Sequence, residues 1–439
     1  MSDAIQHGWR RTNLGALAKR LVNGGTPPTD EVRFWQGKLP WITGADFTDS
    51  GIGEIRRFVS EDAINQTATN LIERGQLLIV TRTGVGKLAI APTDIAISQD
   101  ITGFYIDREQ ATPEFLYHRL KLGLEDLKKL NQGTSINGIT RRDLVSYPLD
   151  LPSLPQQRRI ATILSTLDEV IEATEKLVEK QQQIKAGLMH DLFTRGLWTQ
   201  AELACGDHKG LPCAATAKVG QLRPTPEEAP GLYKETSFGL IPKTWEMKKC
   251  TELCETITVG IVVRPTQYYV TEGVPALRSA NIRETGIEMS DLVFITELSN
   301  AFLFKSKIKQ GDVLSVRTGY PGTSAVVPPE LDGCNCIDIL LSRPTELIQS
   351  QFLSNWVNSS FGRGQVLSKQ GGLAQQHFNV GELRNLLVVV PSADEQTEIT
   401  ARLSSVSDRI AAEETHIAKL RQQKQGLMHD LLTGRVRVE

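Results

Sequence analysis

The sequence has no apolar run approaching the ~18 residues that a membrane span requires, and Met1 to Arg11 lack the apolar centre of a signal peptide. A cytoplasmic chain with no membrane partner is therefore expected. Six cysteines in 439 residues are too few for a disulfide framework, and a reducing compartment would keep them as thiols. An excess of one charge is also missing: 49 Lys+Arg stand against 51 Asp+Glu, a formal net charge of −2. Positions 1–150 hold 18 basic and 18 acidic residues, and 236–391 hold 14 and 14. Net charge therefore gives no case for nucleic acid. If the chain binds DNA, the fold must gather basic residues on one face.

Catalytic signatures are missing as well. GVGK (Gly84 to Lys87) suggests a phosphate loop, but Thr81 stands where the first glycine belongs and Leu88 where a magnesium-binding Ser or Thr is required. There is no dinucleotide GxGxxG turn, no His/Glu zinc motif, no Gly-x-Ser-x-Gly elbow, and no Asn-Pro-Pro-aromatic or Asp-Pro-Pro-aromatic tetrapeptide of an amino-methyltransferase. The cysteines lie near one another as Cys205/Cys213, Cys250/Cys254 and Cys334/Cys336, none with the spacing of a paired CxxC zinc site. Cys250 and Cys254 read as small core residues. His190 and His429, beside Asp191 and Asp430, read as capping or inter-helix groups.

What is present is a duplication. Pro152 to Phe193 aligns without a gap on Pro391 to Leu432 at a constant offset of 239, with 18 of 42 positions identical, including the hexamer GLMHDL. Before each copy lies a region of about 145 residues that matches its counterpart more loosely. Trp9 corresponds to Trp245, KLPWITGADF (Lys38 to Phe47) to VPALRSANI (Val274 to Ile282), and LLIVTRTGVG (Leu77 to Gly86) to VLSVRTGYPG (Val313 to Gly322).

The repeated segments carry a heptad seam. Ile160, Leu164, Leu167, Ile171, Val178 and Leu188 fall on steps of four and three in the first copy. Ile399, Leu403, Val406, Ile410, Ile417, Leu420 and Leu427 keep the same steps in the second. A 3.5-residue period held this long predicts coiled-coil helices. At 1.5 Å per residue, about 40 residues make a rod of roughly 60 Å. Polar breaks at Thr174/Glu413 and Lys185/Lys424 occupy matching positions, as expected if the helices pair with each other in one register. Antiparallel pairing would place a globular head at each end, related by a pseudo-twofold axis.

The heads alternate short β-rich runs with turns and helices, an α+β composition. Each has an Arg-Thr-Gly turn after a strand, with Arg82, Thr83 and Lys87 in the first and Arg317, Thr318 and Tyr320 in the second. Guanidinium, hydroxyl and exposed backbone N–H groups suit phosphate. Two polar loops supply further candidates: Lys128, Lys129, Gln132, Thr134, Ser135 and Asn137, and Lys369, Gln370, Gln375, Gln376 and His377. Where the heads differ, Thr43 and Gly44 face Arg278 and Ser279, and Asp46 faces Asn281. Arg and Asn suit guanine and adenine edges, so Thr43, Arg278, Ser279 and Asn281 join the candidates.

The duplicated order, the two helix starts PSLPQQRRIATILSTLD and PSADEQTEITARLSSVSD, the paired GLMHDL ends and the joint GQLRPTPEEAPGLYKETSFGLIPKTWE (Gly220 to Glu246) together resemble the specificity (S) subunit of type I restriction-modification enzymes. The resemblance covers nearly the whole chain. It implies target recognition domains at 1–151 and 236–390, conserved coiled-coil helices at 152–195 and 391–439, and a linker at 196–235. Each recognition domain would read one half of a bipartite, asymmetric target in double-stranded DNA. The chain would bind no cofactor and have no active site. Two modification subunits would supply S-adenosylmethionine-dependent adenine methylation, and restriction subunits would supply ATP- and Mg-dependent translocation and cleavage. The stretch Ala201 to Lys218 matches no motif and reads as a flexible connector. The competing readings are a fused restriction-methylation enzyme or independent nuclease, which the missing motifs oppose, and a coiled-coil scaffold whose heads bind protein.

Overall fold

The computed structural model describes residues 8–48, 51–82, 86–123, 139–205, 217–368 and 377–438. The helices that frame the heads are α1 (Pro113–Leu122), α2 (Leu154–Thr194), α3 (Ser350–Asn358) and α4 (Ala393–Leu432). The repeated segments are thus the two long helices. The chain packs as two units: Met1–Lys176 with Thr415–Glu439, and Leu177–Glu414. Domain boundaries expected at 151/152 and 390/391 fall just before the long helices, whereas the packing units divide each helix near its middle.

In the first unit, residues Ala18–Asn23, Ile101–Ile106, Leu77–Val80 and Leu88–Ile90 form an antiparallel sheet in that order. A second sheet orders Phe58–Val59, Leu39–Ile42, Ile95–Ile97 and Asn70–Ile72, with one parallel pairing. Runs such as Leu77 to Val80, buried at every position, need cover on both faces, and α1 lies against this strand. The second unit repeats the plan with Cys254–Val259, Ile339–Pro344, Val313–Val316 and Ser324–Val326, covered by α3. Its other sheet keeps the parallel pairing, but its extra strand, Tyr269–Val270, lies on the opposite edge. In each unit a short antiparallel pair joins the start of the head to the strand before the long helix: Arg10–Asn13 with Pro148–Leu151, and Glu246–Lys249 with Leu387–Val390.

Neither head closes its core alone. In the first unit Phe115, Leu116 and Leu120 of α1 share one cluster with Ile160 and Leu164 of α2 and Leu431 and Leu432 of α4. In the second, Phe352, Leu353 and Trp356 of α3 pack with Leu192 and Phe193 of α2 and Ile399 and Leu403 of α4. Burying each such side chain contributes about 1.5–3 kcal/mol. Within the first unit Lys424 pairs with Asp168 and Arg421 with Glu175, so the numbering of one helix falls as the other rises. The half-helices are antiparallel.

Two glutamines that the repeat preserves fix the head helices to the long ones. The buried Gln157 side chain accepts from Thr112 N through Oε1, and its Nε2 donates to Pro152 O and Gln110 O. Gln396 repeats this with Gln349 N, Pro391 O and Leu347 O. All three hydrogen-bonding positions satisfied inside apolar surroundings are costly to disturb.

Of the stretch Ala201 to Lys218, read as a connector, the first residues are helical, and the segments on either side of it are packed. Gln200–Cys205 is helical, and Trp198, Ala229, Leu232 and Tyr233 form a small core. Arg223, 1% exposed, bonds Glu395 and Glu202. Glu395 also accepts from Trp245 Nε1 and Leu197 N. A guanidinium can lie this deep because two carboxylates face its donors. Residues 206–216 lie outside the described set. Among the described residues no helix is long and apolar enough to cross a membrane.

Glu395→Ala should destabilise the second unit by about 2–5 kcal/mol in urea unfolding, since it leaves the buried guanidinium with Glu202 alone and removes the acceptor of Trp245 Nε1 and Leu197 N. A loss below ~1 kcal/mol would refute this role. His118, 1% exposed, has its Nε2 on Ser165 Oγ, while its Nδ1 has no partner among the described residues. Burial lowers its pKa to about 4 from the ordinary histidine value of 6.5, with Lys424 and Lys121 adding to the effect against Asp168. Protonation thus favours the unfolded state, and stability present above the unfolded pKa declines as pH falls from 6.5 towards about 4. The corresponding α3 residue is Asn355. Thermal melts at pH 7 and pH 5 should show His118→Asn losing roughly 2 kcal/mol less than the parent over that interval.

Candidate nucleic-acid interface

The two glycine turns are closed by the same hydrogen bonds. Val80 N donates to Lys87 O and Gly86 N to Val80 O, as Val316 N does to Thr323 O and Gly322 N to Val316 O. Gly86 and Gly322 have φ of 91° and 87°, a left-handed conformation that glycine adopts without strain. This correspondence has an offset of 236, so Arg82 matches Thr318 and Arg317 matches Thr81. The Arg-Thr-Gly triplets are out of step by one residue. Adjacent residues leaving a strand point to opposite sides, and the two arginines differ accordingly. Arg82 is exposed. Arg317 is half-buried, with Nη1 on Asp338 Oδ1 at 2.6 Å. Asp338 immediately precedes the neighbouring strand, as Asp100, whose carbonyl accepts from Thr81 N and Oγ1, does in the first head.

Each turn is joined to the end of its head's polar loop. Ile139 N donates to Thr81 O, and Phe378 N to Arg317 O. In the second head Thr318 and His377 also form a β-bridge, with Oγ1 3.1 Å from Nδ1. The structure therefore brings together Thr318, Tyr320 and His377. Tyr320 is 84% exposed. Of the remaining loop candidates, Thr83, Lys128, Lys129, Gln132, Thr134, Ser135, Asn137, Lys369, Gln370, Gln375 and Gln376 lie outside the described residues.

Candidates at the other corner are mostly structural. Thr43 N and Oγ1 both donate to Asp46 Oδ2, and Arg57 Nη2 reaches the same carboxylate. Arg278 N donates to Asn281 Oδ1, and Asn281 Nδ2 donates to Glu288 O and Ser290 O. Asn281 is 2% exposed, so its amide is committed to holding the turn and cannot reach a base. This corrects the reading of Asn281 as an adenine contact. The one-letter difference Asp46/Asn281 preserves a capping role rather than encoding a change of target. The Arg278 guanidinium pairs with Asp291, Ser279 is half-buried, and Lys87 Nζ donates to Phe47 O at 2.8 Å.

In the second unit a cleft of about 1560 Å³ opens between the turn and the long helices, with Lys185, His190, Arg283, Thr318, Tyr320 and Arg363 among its lining. His190 stacks on Phe361 at 5.6 Å. Among the described residues no group of His, Cys, Asp or Glu could hold a metal ion. Cys250, Cys254, Cys334 and Cys336 are free and buried, as core residues would be. Sequence reasoning overlooked Arg223, Glu395 and the two buried glutamines. The signal for the glutamines was their identity in both copies.

Residues 6–186 match the family model described as type I restriction modification DNA specificity domain. Two specificity subunits of Methanocaldococcus jannaschii type I restriction enzymes align nearly end to end. MjaIX is 21% identical over 98% of this chain and 97% of its own length, and MjaVIII is 24% identical over 99% and 94%. The crystal structure of a type I restriction-modification S subunit from M. genitalium superposes with a TM-score of 0.58 at 15% identity, covering 98% of this chain and 97% of that one. That likeness shows a shared fold.

Replacing Asn281 by Ala should cost roughly 1–3 kcal/mol of head stability by orphaning its partners. Arg82→Ala should stay within about 0.5 kcal/mol of the parent. Chemical denaturation of both variants checks the division between scaffold and surface.

Proposed function

From full-length kinship with the type I restriction-modification specificity subunits, we propose that this chain selects the DNA sequence on which such a complex acts, one half-site per head. It performs no catalysis itself; in specificity subunits that work falls to partner subunits. The observation that carries the reading is the repeated corner, where a glycine turn is tied to the following loop at Thr81/Ile139 and again at Arg317/Phe378. One backbone frame presenting different side chains is what reading two unlike half-sites demands. Arg82, Tyr320 and His377 are the described groups exposed there.

In this proposal the partners are double-stranded DNA, two modification subunits that bind S-adenosylmethionine and methylate adenine, and restriction subunits that use ATP and Mg. The complex would work in the cytoplasm. The one-residue slip between the triplets makes Arg82 and Thr318 the matched reading positions, with Arg317 supporting its turn through Asp338.

Methylome sequencing of cells with and without this gene tests the reading. Loss of a bipartite adenine-methylation motif is the expected result. An unchanged methylome with all subunits expressed would sink it. Within the assembled complex, Arg82→Ala should impair one half-site and substitutions at Thr318 or Tyr320 the other, read as base-by-base binding preference. Equal weakening on all sequences would make these groups phosphate contacts without a reading role.

A further inference from the structure

The long helices share a lysine at the same seam position, Lys185 in α2 and Lys424 in α4, at the repeat offset of 239. In the first unit this lysine is neutralised from within: Lys424, whose side chain is 11% exposed, pairs with Asp168. In the second unit the position equivalent to Asp168 holds Ser407, and its hydroxyl donates to Leu403 O. Among the described residues no carboxylate forms an ion pair with Lys185. The repeat therefore carries the same cation twice, with a carboxylate in direct contact at one position only among the described residues.

Lys185 and the Thr318–Tyr320 turn line the same cleft. Of the other charges there, Arg363 pairs with Glu284 and Arg283 with Glu288, and Glu414 also lines the space. Burial lowers the pKa of Lys185, while Glu284 and Glu414 act in the opposite sense without contacting it. A half-buried ammonium without a partner gains from any anion that enters. Hydroxyls of Ser279, Thr323 and Ser360 line the same space and suit phosphate oxygens.

We propose that Lys185 receives a backbone phosphate of the DNA strand that passes the Thr318–Tyr320 turn, so that a long helix as well as a head holds the duplex in the second unit. This rests on the DNA-recognition reading above. A carboxylate from a partner protein is the competing occupant. The reading turn in the same cleft favours the nucleic acid, because an anion that reaches Lys185 shares the cleft with the proposed reading residues.

The test uses the full chain assembled with its modification subunits and a duplex carrying the target found by methylome sequencing. Removing one phosphate contact lowers the slope of log K against log salt concentration by about 0.9. Lys185→Met should show that loss on target and unrelated duplexes alike, and Lys185→Arg should retain the slope. Ser407→Asp, which gives Lys185 the carboxylate that Lys424 has, should reproduce the loss, while Lys424→Met leaves the slope unchanged. An unaltered slope for Lys185→Met overturns the proposal. So does impaired assembly with modification subunits, by native mass, at an unchanged slope per assembled complex, which would assign the cleft to a protein carboxylate. A wild-type complex that binds duplex without preference overturns the DNA-recognition reading while the slope comparison still decides the role of Lys185. One that binds no duplex overturns both.

Discussion

The packing of each unit depends on two antiparallel half-helices burying one seam. The first head leaves α1 with Phe115, Leu116 and Leu120 unclosed until Ile160 and Leu164 arrive from one long helix and Leu431 and Leu432 from the other. The second head has the same need for Leu192, Phe193, Ile399 and Leu403. A unit therefore includes segments distant in sequence, and loss of the helix pairing would expose apolar surface in the head as well as in the seam. The buried glutamines make this coupling directional. Gln157 and Gln396 fix where the head helix begins relative to the long helix, leaving little freedom for one to slide on the other.

The duplication and its seam were legible because they depend on period and identity, which survive divergence. Every predicted apolar seam residue, from Ile160 to Leu427, is buried or half-buried. The site was less legible, for two physical reasons. A turn's backbone hydrogen bonds set its register, and letters can slip within an unchanged turn, so matching Arg-Thr-Gly triplets concealed the true equivalence of Arg82 with Thr318. A polar side chain on a loop can serve solvent, ligand or its own backbone, and only the fold showed that the Asn281 amide serves the backbone. The buried ion-pair cluster was overlooked for a related reason. Arg223 is a surface residue by type, and its burial follows from carboxylates at Glu202 and Glu395, the second of them 172 positions away.

Near-neutrality also takes on a different meaning. Head arginines are extensively paired with acids of the same unit: Arg57 with Asp46, Arg278 with Asp291, Arg317 with Asp338 and Arg343 with Asp312. Such pairs fix loops and remove both charges from long-range attraction. The charge open to a polyanion is therefore smaller than the composition suggests, and Arg82 and Lys185 are among the described cations outside such pairs. Affinity then depends on where those cations stand rather than on net charge.

This placement bears on how a duplicated protein comes to read an asymmetric target. The backbone frame is common to both heads, including the left-handed glycines and the tie between turn and loop. A one-residue slip puts a guanidinium on the open side in one head and a hydroxyl in the other, without altering the frame. The same logic operates in the long helices, where exchange of a carboxylate for a hydroxyl between Asp168 and Ser407 leaves one seam lysine neutral in effect and the other charged. The repeat preserves what the fold requires and varies what the fold leaves open. Asymmetry of function can thus come from single positions carried on a symmetric scaffold, which is how two like heads can hold unlike sequences without two different folds.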